Sequence, residues 1–212
     1  MSSHDHDHDH HHDHPVRADQ APTEYEYLEN AVRELLVEKG LITPDEIRAA
    51  VEKMDRTSPE RGAKLVAKAW ADPSFMDFLM SDAPAAAEAM GMSLKANHLP
   101  ADLVAVANRP GHHNLVVCTL CSCYPRMLLG VPPDWYKSRA YRSRAVREPR
   151  KVLAEFGTVL PEGTAVHVHD SNADLRYIVV PMRPEGTDNY SEDELAALVT
   201  RDTMIGVTVP QI

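Results

Sequence analysis

The sequence predicts an α+β protein in which an N-terminal helical arm is followed by a layered domain of mixed helices and strands. Apolar residues recur at helical spacing through the first half, whereas short β-branched runs dominate the second half. Helices that precede mixed strands are typical of this fold class. All three cysteines fall in one short segment, the cysteine loop 118–123. We expect a tail over 1–20, a helical arm over 21–92 and an α+β domain that carries the cysteine loop over 93–212.

Residues 1–14 read MSSHDHDHDHHHDH and contain seven histidines and four aspartates. This tract has no apolar face to bury, so we expect it to be disordered. Histidine-rich tracts bind divalent metals loosely. Two interpretations stay open, a native metal-scavenging tail and an expression tag, and neither assigns catalysis to this segment.

Several helices are expected in the arm. Thr23 and Glu26 have the spacing of a capping box, and an apolar stripe follows as far as Gly40. The later helix starts carry proline in the first turn or an alanine-rich run; they are Thr43-Pro44, Ser58-Pro59, Asp72-Pro73 and the stretch 83–90 before Gly91. The first two helices are too thin to form a core alone, so we expect them to pack against a partner chain.

Four short runs rich in β-branched residues predict strands over 103–107, 115–119, 165–168 and 177–180. A short helix is expected over 149–156, closed by Gly157. Ser191 and Glu194 repeat the capping-box spacing, which predicts a further helix near the C-terminus. The strand at 115–119 runs directly into the cysteine loop, so the thiols should emerge at a strand end.

Composition excludes several classes of protein. Hydrophobic residues make up 43% and charged residues 25% of the chain, and the mean hydropathy is -0.36, as in ordinary soluble proteins. No run approaches the roughly 20 apolar residues that span a bilayer. The N-terminus lacks the apolar core of a secretion signal, so a cytoplasmic location is expected. The net charge of -10 argues against a general nucleic-acid binder.

Cys118, Cys121 and Cys123 lie too close together to cross-link distant parts of a fold. Thiols clustered in this way indicate metal or redox chemistry. Three sulfurs and the peptide nitrogens between the last two cysteines have the reach to surround one ion. Such anionic donors favour a trivalent, low-spin metal with one open position, which acts as a Lewis acid. Exposed thiols of this kind are also candidates for oxidation to sulfenic and sulfinic acids.

Three further features need an interpretation. A structural zinc site completed by His112 or His113 is an alternative for the cysteine loop. His167 and His169 share one face of a predicted strand, where a structural pair is favoured over a second metal site. Residues 137–151 contain seven Lys or Arg. We expect these basic residues to bind a partner subunit or to surround an anionic metal centre, rather than to bind nucleic acid.

The segment CTLCSCYP at 118–125 resembles the signature of nitrile hydratase alpha subunits, the cobalt type in particular, and of the closely related thiocyanate hydrolase gamma subunit. The cysteine pattern is highly specific, and the resemblance covers roughly residues 25–208. Its further motifs are PPDWY at 132–136, YRSR at 141–144, PRKVL at 149–153 and RPEGT at 183–187.

The resemblance implies hydration of a nitrile to its amide. The sulfurs of Cys118, Cys121 and Cys123 and the backbone nitrogens of Ser122 and Cys123 would hold one Co3+ per chain. Cys121 would be a sulfinic acid and Cys123 a sulfenic acid, whose oxygen, or a metal-bound water that it orients, would attack the nitrile carbon. Catalysis would thus involve Cys121, Ser122 and Cys123. Thr119 stands where iron members usually carry serine, which favours cobalt over iron.

The resemblance also implies partners. A beta-type subunit, as one chain or as two, would supply arginines that hold the oxidised cysteines, so the isolated chain should be nearly inactive. A metal-insertion activator is implied as well. Arg126 departs from the tryptophan of most cobalt members and matches the thiocyanate hydrolase gamma subunit. Thiocyanate hydrolysis is therefore the alternative activity, and a metal-handling protein is the alternative without catalysis.

Overall fold

A computed structural model describes residues 24–55, 57–94 and 102–212. The predicted tail over 1–20 and the predicted cap at Thr23 lie outside these residues. The helices are α1 (Glu24–Glu38), α2 (Pro44–Asp55), α3 (Pro59–Ala71), α4 (Pro73–Ser81), α5 (Ala83–Ala89), α6 (Arg126–Leu129), α7 (Asp134–Lys137), α8 (Arg139–Arg147), α9 (Pro149–Glu155), α10 (Glu192–Ala197) and α11 (Arg201–Ile205). The strands are β1 (Asp102–Ala107), β2 (His112–Val117), β3 (Ala165–Asp170) and β4 (Leu175–Val180). This mixture of helices and open sheets confirms the predicted α+β class.

The internal contacts divide the chain after Ala49 into two compact units. In the first unit, α2 begins with a reciprocal cap, in which the Thr43 N–H donates to the Glu46 carboxylate at 2.8 Å and the Glu46 N–H donates to the Thr43 hydroxyl at 3.2 Å. Apolar side chains line an open groove in this unit, among them Leu28, Val32, Leu36, Ile42 and Ile47. Leu28 and Val32 stay exposed, as expected for helices too thin to bury their own stripe. The limits proposed for tail, arm and domain stay a prediction.

Two sheets of parallel strands form the β structure of the described residues, with β1 paired to β4 and β2 paired to β3. The strand predicted at 115–119 is shifted toward the N-terminus and ends at Val117. The reason is its pairing with β3, which runs from His112 opposite Ala165 to Val117 opposite Asp170. Cys118 therefore leaves the sheet, and the cysteine loop starts where the ladder ends.

Helix α3 carries an apolar stripe into the core of the second unit. Leu65 is fully buried, and the indole N–H of Trp70 donates to the Pro181 carbonyl, just after β4, at 2.8 Å. Full burial of one large aliphatic side chain is worth about 1.5–3 kcal/mol. The same core includes Leu153 of α9 and Ile178 of β4. One continuous apolar core therefore supports the strands that lead to the cysteine loop. Among the described helices, none combines the length and the apolar character needed to cross a bilayer.

Helix α8 is an element that the sequence pattern does not predict, because its arginines conceal a short apolar stripe. Tyr141 and Ala145, one helical turn apart, are both buried. The Tyr141 hydroxyl donates to the Val116 carbonyl of β2 at 2.7 Å. This contact anchors α8 beside the strand from which the cysteine loop leaves.

A polar network joins the end of β1 to β2 and to the residue that follows α11. The Asn108 side-chain oxygen accepts from the Asn114 backbone N–H at 2.7 Å, and the Asn114 side-chain amide donates to the Ala107 carbonyl at 2.8 Å. His113 lies with Nδ1 3.3 Å from the Asn108 amide and Nε2 2.7 Å from the Gly206 carbonyl. Nδ1 accepts from the amide and Nε2 donates to the carbonyl, which requires a neutral ring. His113 is thus a structural residue.

Candidate metal centre

The three thiols of the cysteine loop converge on one point beyond the end of β2. The Sγ atom of Cys121 lies 3.6 Å from that of Cys118 and 3.4 Å from that of Cys123. All three sulfurs lie within 4.8 Å of one another. Cys118 is buried, Cys123 is partly buried and Cys121 is exposed. The loop therefore forms a cup of sulfur donors that is open on one side.

Strand β3 fixes the first half of the loop. The carboxylate of Asp170 accepts from the Thr119 backbone N–H at 2.9 Å and from the Thr119 hydroxyl at 2.6 Å. The N–H of Ser171 donates to the Val117 carbonyl at 2.7 Å and so extends the β2–β3 ladder by one bond. The backbone on both sides of Cys118 is therefore held before any ion binds.

Helices α7 and α8 fix the loop from another direction. The hydroxyl of Tyr136, which is fully buried, donates to the Cys123 carbonyl at 2.9 Å. One nitrogen of the Arg142 guanidinium, Nη1, donates to the Thr119 carbonyl at 3.3 Å and to the Leu120 carbonyl at 3.0 Å. These bonds satisfy the carbonyl groups of Thr119, Leu120 and Cys123 and hold the loop backbone.

The environment of the loop separates the acidities of two thiols. The Cys121 pKa is lowered because the thiols of Cys123 and Cys118 donate toward its sulfur, with smaller contributions from backbone N–H groups. Burial raises the pKa of Cys123 to about 12, the hydrogen bond with Cys121 adds to this effect, and the Arg176 guanidinium opposes it. Of these two residues, Cys121 is therefore the first to become a thiolate in the chain without an ion.

The donor set fits a transition metal. Thiolate sulfurs select soft or borderline ions such as zinc, copper(I), iron and cobalt rather than calcium or magnesium. The peptide nitrogens of Ser122 and Cys123 belong to the same short loop and could serve as further ligands beside the three sulfurs. The loop brings together the sequence-predicted residues Cys118, Cys121, Ser122 and Cys123.

The histidines considered for a zinc site lie elsewhere. His113 is engaged by Asn108 and Gly206, and the ring of His112 stacks on that of His167 at a centroid distance of 4.0 Å. Within the described residues, the cluster that could hold an ion contains the three cysteines and no histidine. His169 is likewise engaged in the fold, because its Nε2 atom donates to the Asn114 side-chain oxygen at 2.8 Å.

The basic stretch 137–151 divides into residues with different contacts. Arg142 contacts the cysteine loop, whereas Arg144 forms ion pairs with Glu148 and Glu155. Lys137 pairs with Asp134. Arg126, the first residue of α6, is exposed. Of the basic residues described here, Arg142 is therefore the one that fits the expectation of positive charge around the metal centre.

The sequence patterns predict no contact of Asp170 or Tyr136 with the cysteine loop, and they place Arg142 only within a basic stretch expected to bind a partner subunit or to surround the metal centre. The parallel register offers the missing signal for Asp170, since it places this residue opposite Val117, next to Cys118. No local pattern predicts the contacts of Tyr136 or Arg142, because each depends on how α7 and α8 pack against β2.

The sequence and the fold match known proteins over most of the chain. The family described as "Nitrile hydratase, alpha chain" matches residues 23–208. The thiocyanate hydrolase gamma subunit of Thiobacillus thioparus is 47% identical over 197 residues, which cover 89% of this chain and 81% of that protein. The alpha subunit of the low-molecular-weight cobalt-containing nitrile hydratase of Rhodococcus rhodochrous is 49% identical over 185 residues, which cover 85% and 86%.

Solved structures agree with these relatives. A recombinant thiocyanate hydrolase with partially modified cobalt centres superposes with a TM-score of 0.86 at 45% identity, covering 90% of this chain and 92% of that chain. A double mutant of the Fe-type nitrile hydratase from Comamonas testosteroni Ni1 superposes with a TM-score of 0.83 at 42% identity, covering 88% and 90%. The family resemblance inferred from the cysteine motif is thus confirmed by the match of sequence and fold over about nine tenths of the chain. This chain belongs to the nitrile hydratase alpha-chain family.

Proposed function

We propose that this chain is the metal-carrying subunit of an enzyme that hydrates nitriles to amides. The observation that supports this most directly is the convergence of three sulfur atoms within 4.8 Å in a chain of this family. In the net reaction, the oxygen of one water bonds to the nitrile carbon and its two hydrogens end on the nitrogen. Small-molecule nitriles are therefore the proposed substrates.

The proposed ligands are the sulfurs of Cys118, Cys121 and Cys123 and the backbone nitrogens of Ser122 and Cys123. We propose cobalt as the ion, because three relatives are named cobalt-containing nitrile hydratases and Thr119 stands where iron members usually carry serine. The similar Fe-type structure keeps iron as the competing ion. When bound, a trivalent low-spin ion would supply Lewis-acid activation.

The chain's own residues prepare the site for this chemistry. We propose that an external oxidant such as dioxygen converts Cys121 to a sulfinic acid and Cys123 to a sulfenic acid. The sulfenic oxygen, or a water that it orients, would then attack the nitrile carbon. If the sulfenic oxygen attacks, a water must restore it as the amide leaves, so that the net reaction still consumes one water. The bonds of Asp170 to Thr119 and of Tyr136 to Cys123 hold the loop backbone, so little reorganisation is needed as charge develops. Arg176 brings a positive charge toward Cys123.

Partner subunits complete the proposed enzyme. The alpha and gamma subunits to which the chain is similar are, by name, parts of larger proteins. We propose a beta-type partner, present as one chain or as two, and an activator that inserts the metal. The expected cytoplasmic location stays a prediction.

The direct test is to produce the chain with its partner subunits in cobalt-supplied medium and to measure amide formation over a panel of nitriles. The proposal expects turnover that depends on cobalt content and on the presence of the partner. A fully cobalt-loaded complex that hydrates no nitrile of the panel would contradict it.

A second candidate is hydrolysis of thiocyanate, which the exposed Arg126 favours because the thiocyanate hydrolase gamma subunit shares this residue. Release of ammonia and carbonyl sulfide from thiocyanate, with no amide formed from nitriles, would replace the first proposal by this one. A metal-handling protein is the third. Zinc or nickel bound only by the histidine-rich tail, with three unmodified thiols, would favour that interpretation.

A further inference from the structure

We infer that Arg142 is a positioning residue that tunes the donor strength of the Cys118 sulfur through one peptide group of the cysteine loop. The inference rests on the proposed role of this loop as a metal site. Arg142 lies on α8 and belongs to no ligand set. Its guanidinium reaches the loop from the side, by hydrogen bonds to backbone carbonyls.

The route from the cation to the sulfur consists of two hydrogen bonds on one peptide group. Arg142 Nη1 donates to the Leu120 carbonyl at 3.0 Å. The N–H of the same peptide group, that of Cys121, donates to the Cys118 Sγ atom at 3.3 Å. A cation at the carbonyl end draws electron density from the amide and makes its N–H a stronger donor. The Cys118 sulfur thereby loses part of its donor strength.

The charge of Arg142 is available for this role. Its neighbour on α8, Arg144, pairs with the carboxylates of Glu148 and Glu155. No salt bridge joins Arg142 to a carboxylate within the described parts of the chain. Its Nε atom instead donates to the Lys137 carbonyl at 3.1 Å, which fixes the guanidinium plane. Because the side chain is partly buried, solvent screens this charge less than that of an exposed arginine.

A hydrogen bond to a ligand sulfur changes both the electronic properties and the affinity of a metal site. Hydrogen bonds to sulfur are a recognised means by which proteins set the potentials of thiolate-bound metals. Outer-shell partners of metal ligands typically account for about 10- to 100-fold in affinity or activity. Arg142 is an outer-shell partner of this kind, because a single peptide group links its guanidinium to the Cys118 sulfur.

Cadmium(II), added alone to the reduced full-length chain, measures this effect without catalysis. Thiolate–cadmium bonds give an ultraviolet charge-transfer band that imidazole and carboxylate ligands in the tail do not produce. The comparison uses the wild type, Arg142→Gln and Arg142→Lys. Arg147→Gln is the matched control, because Arg147 lies on the same helix, is exposed, and donates to the Ser143 carbonyl of its own helix.

In Arg142→Gln we expect the band to move to lower energy, because a less strongly bonded sulfur gives up its electrons more easily. The variant also loses the bonds from Arg142 to the Thr119 and Leu120 carbonyls, so the loop is less well held before the ion binds. We expect this loss to outweigh the gain in donor strength, so that cadmium affinity, from competition with a chelator, falls about tenfold, the lower end of the outer-shell range. Arg142→Lys keeps the charge but loses the planar fork, so it should lie between the wild type and Arg142→Gln. Arg147→Gln should match the wild type.

A folded Arg142→Gln chain with the band and affinity of the wild type would overturn the inference. Should this variant fail to fold, Arg142→Met decides, because methionine keeps an unbranched apolar side chain and removes the charge; wild-type values in that variant would overturn the inference equally. These outcomes leave nitrile hydration by the cobalt-loaded complex untouched. A wild-type chain without any thiolate–cadmium band would instead refute the metal site and this inference together.

Discussion

Both hydrogen-bond donors of Thr119 point at one carboxylate, that of Asp170. The backbone N–H lies 2.9 Å from Oδ1, and the hydroxyl lies 2.6 Å from Oδ2. Asp170 is the last residue of β3, and Thr119 is the second residue of the cysteine loop. This pair of bonds therefore ties the conformation of the loop to the register of the sheet.

The hydroxyl bond can be tested separately from the backbone bond. Thr119→Val keeps the shape of the side chain but removes the hydroxyl, so Oδ2 of Asp170 loses a bond of a kind worth about 1.5–3 kcal/mol. We expect metal retention or kcat/KM of the assembled enzyme to fall by about 10- to 100-fold. Thr119→Ser, which keeps the hydroxyl, is the control and should stay near the wild type. Equal values for the valine and serine variants would show that this bond does not matter.

Substitution of Gly206, which is remote from the cysteines in the sequence, should have a large effect on stability. Its φ is 88°, and a Cβ atom there would overlap the Asn114 carbonyl. Gly157 has a similar φ of 80°, but a Cβ atom there meets nothing within 4 Å. Gly157→Ala should cost only the left-handed strain of about 1–2 kcal/mol. Gly206→Ala should lower the free energy of unfolding, measured in urea, by clearly more than Gly157→Ala does. Equal losses of stability in the two variants would contradict the close approach of Gly206 to the Asn114 carbonyl.

Because His113 is buried in its neutral form, we expect the protein to lose stability in mild acid. Burial lowers its pKa from the ordinary 6.5, although the bond to the Gly206 carbonyl opposes the shift. Between 6.5 and the lower pKa of the folded state, the unfolded chain binds more protons. The free energy of unfolding is therefore highest above pH 6.5 and falls as the pH drops through this window. Urea unfolding at a series of pH values from neutral to mildly acidic measures the slope.

The matched variant for this prediction is His113→Gln, which can still donate to Gly206 but does not titrate. We expect it to be less stable than the wild type at neutral pH, by about 1–3 kcal/mol for an imperfect buried bond, and to lose stability less steeply in acid. The slope should shrink rather than vanish, since burial lowers the pKa of His169 as well. An unchanged slope in His113→Gln would assign the acid sensitivity to other groups.

Local signals account for much of the fold. Ser191 and Glu194 form the predicted capping box, with bonds of 2.8 Å and 3.3 Å between backbone N–H groups and side-chain oxygens. Pro59 and Pro73 begin α3 and α4 as predicted. These features depend on residues within one turn of each other, so the sequence pattern alone identifies them.

The contacts around the cysteine loop involve residues that are distant in the sequence, so local sequence patterns do not predict them. Asp170 meets Thr119 only because β3 pairs in parallel with β2, and parallel pairing leaves no local pattern. Helix α8 escapes prediction because its two buried residues, Tyr141 and Ala145, stand among arginines. Even the end of β2 is set by its partner strand and not by its own β-branched run.

Cys123→Ser tests the proposed nucleophile and ligand together. Serine cannot be oxidised to a sulfenic acid and is a poor ligand for a soft site. We expect the variant to fold and to assemble with its partner while amide formation falls to background. Ser81→Ala is the control, since Ser81 is an exposed residue at the end of α4, and it should retain metal and activity. Activity in Cys123→Ser near that of the wild type would rule out both roles at once.

The most direct test of the account is intact-protein mass spectrometry of the mature complex, combined with metal analysis of the same sample. The account predicts one cobalt per chain and about three added oxygens, two on Cys121 and one on Cys123, in the peptide that contains the cysteine loop. Unmodified thiols with no metal in the loop of a catalytically active sample would contradict it.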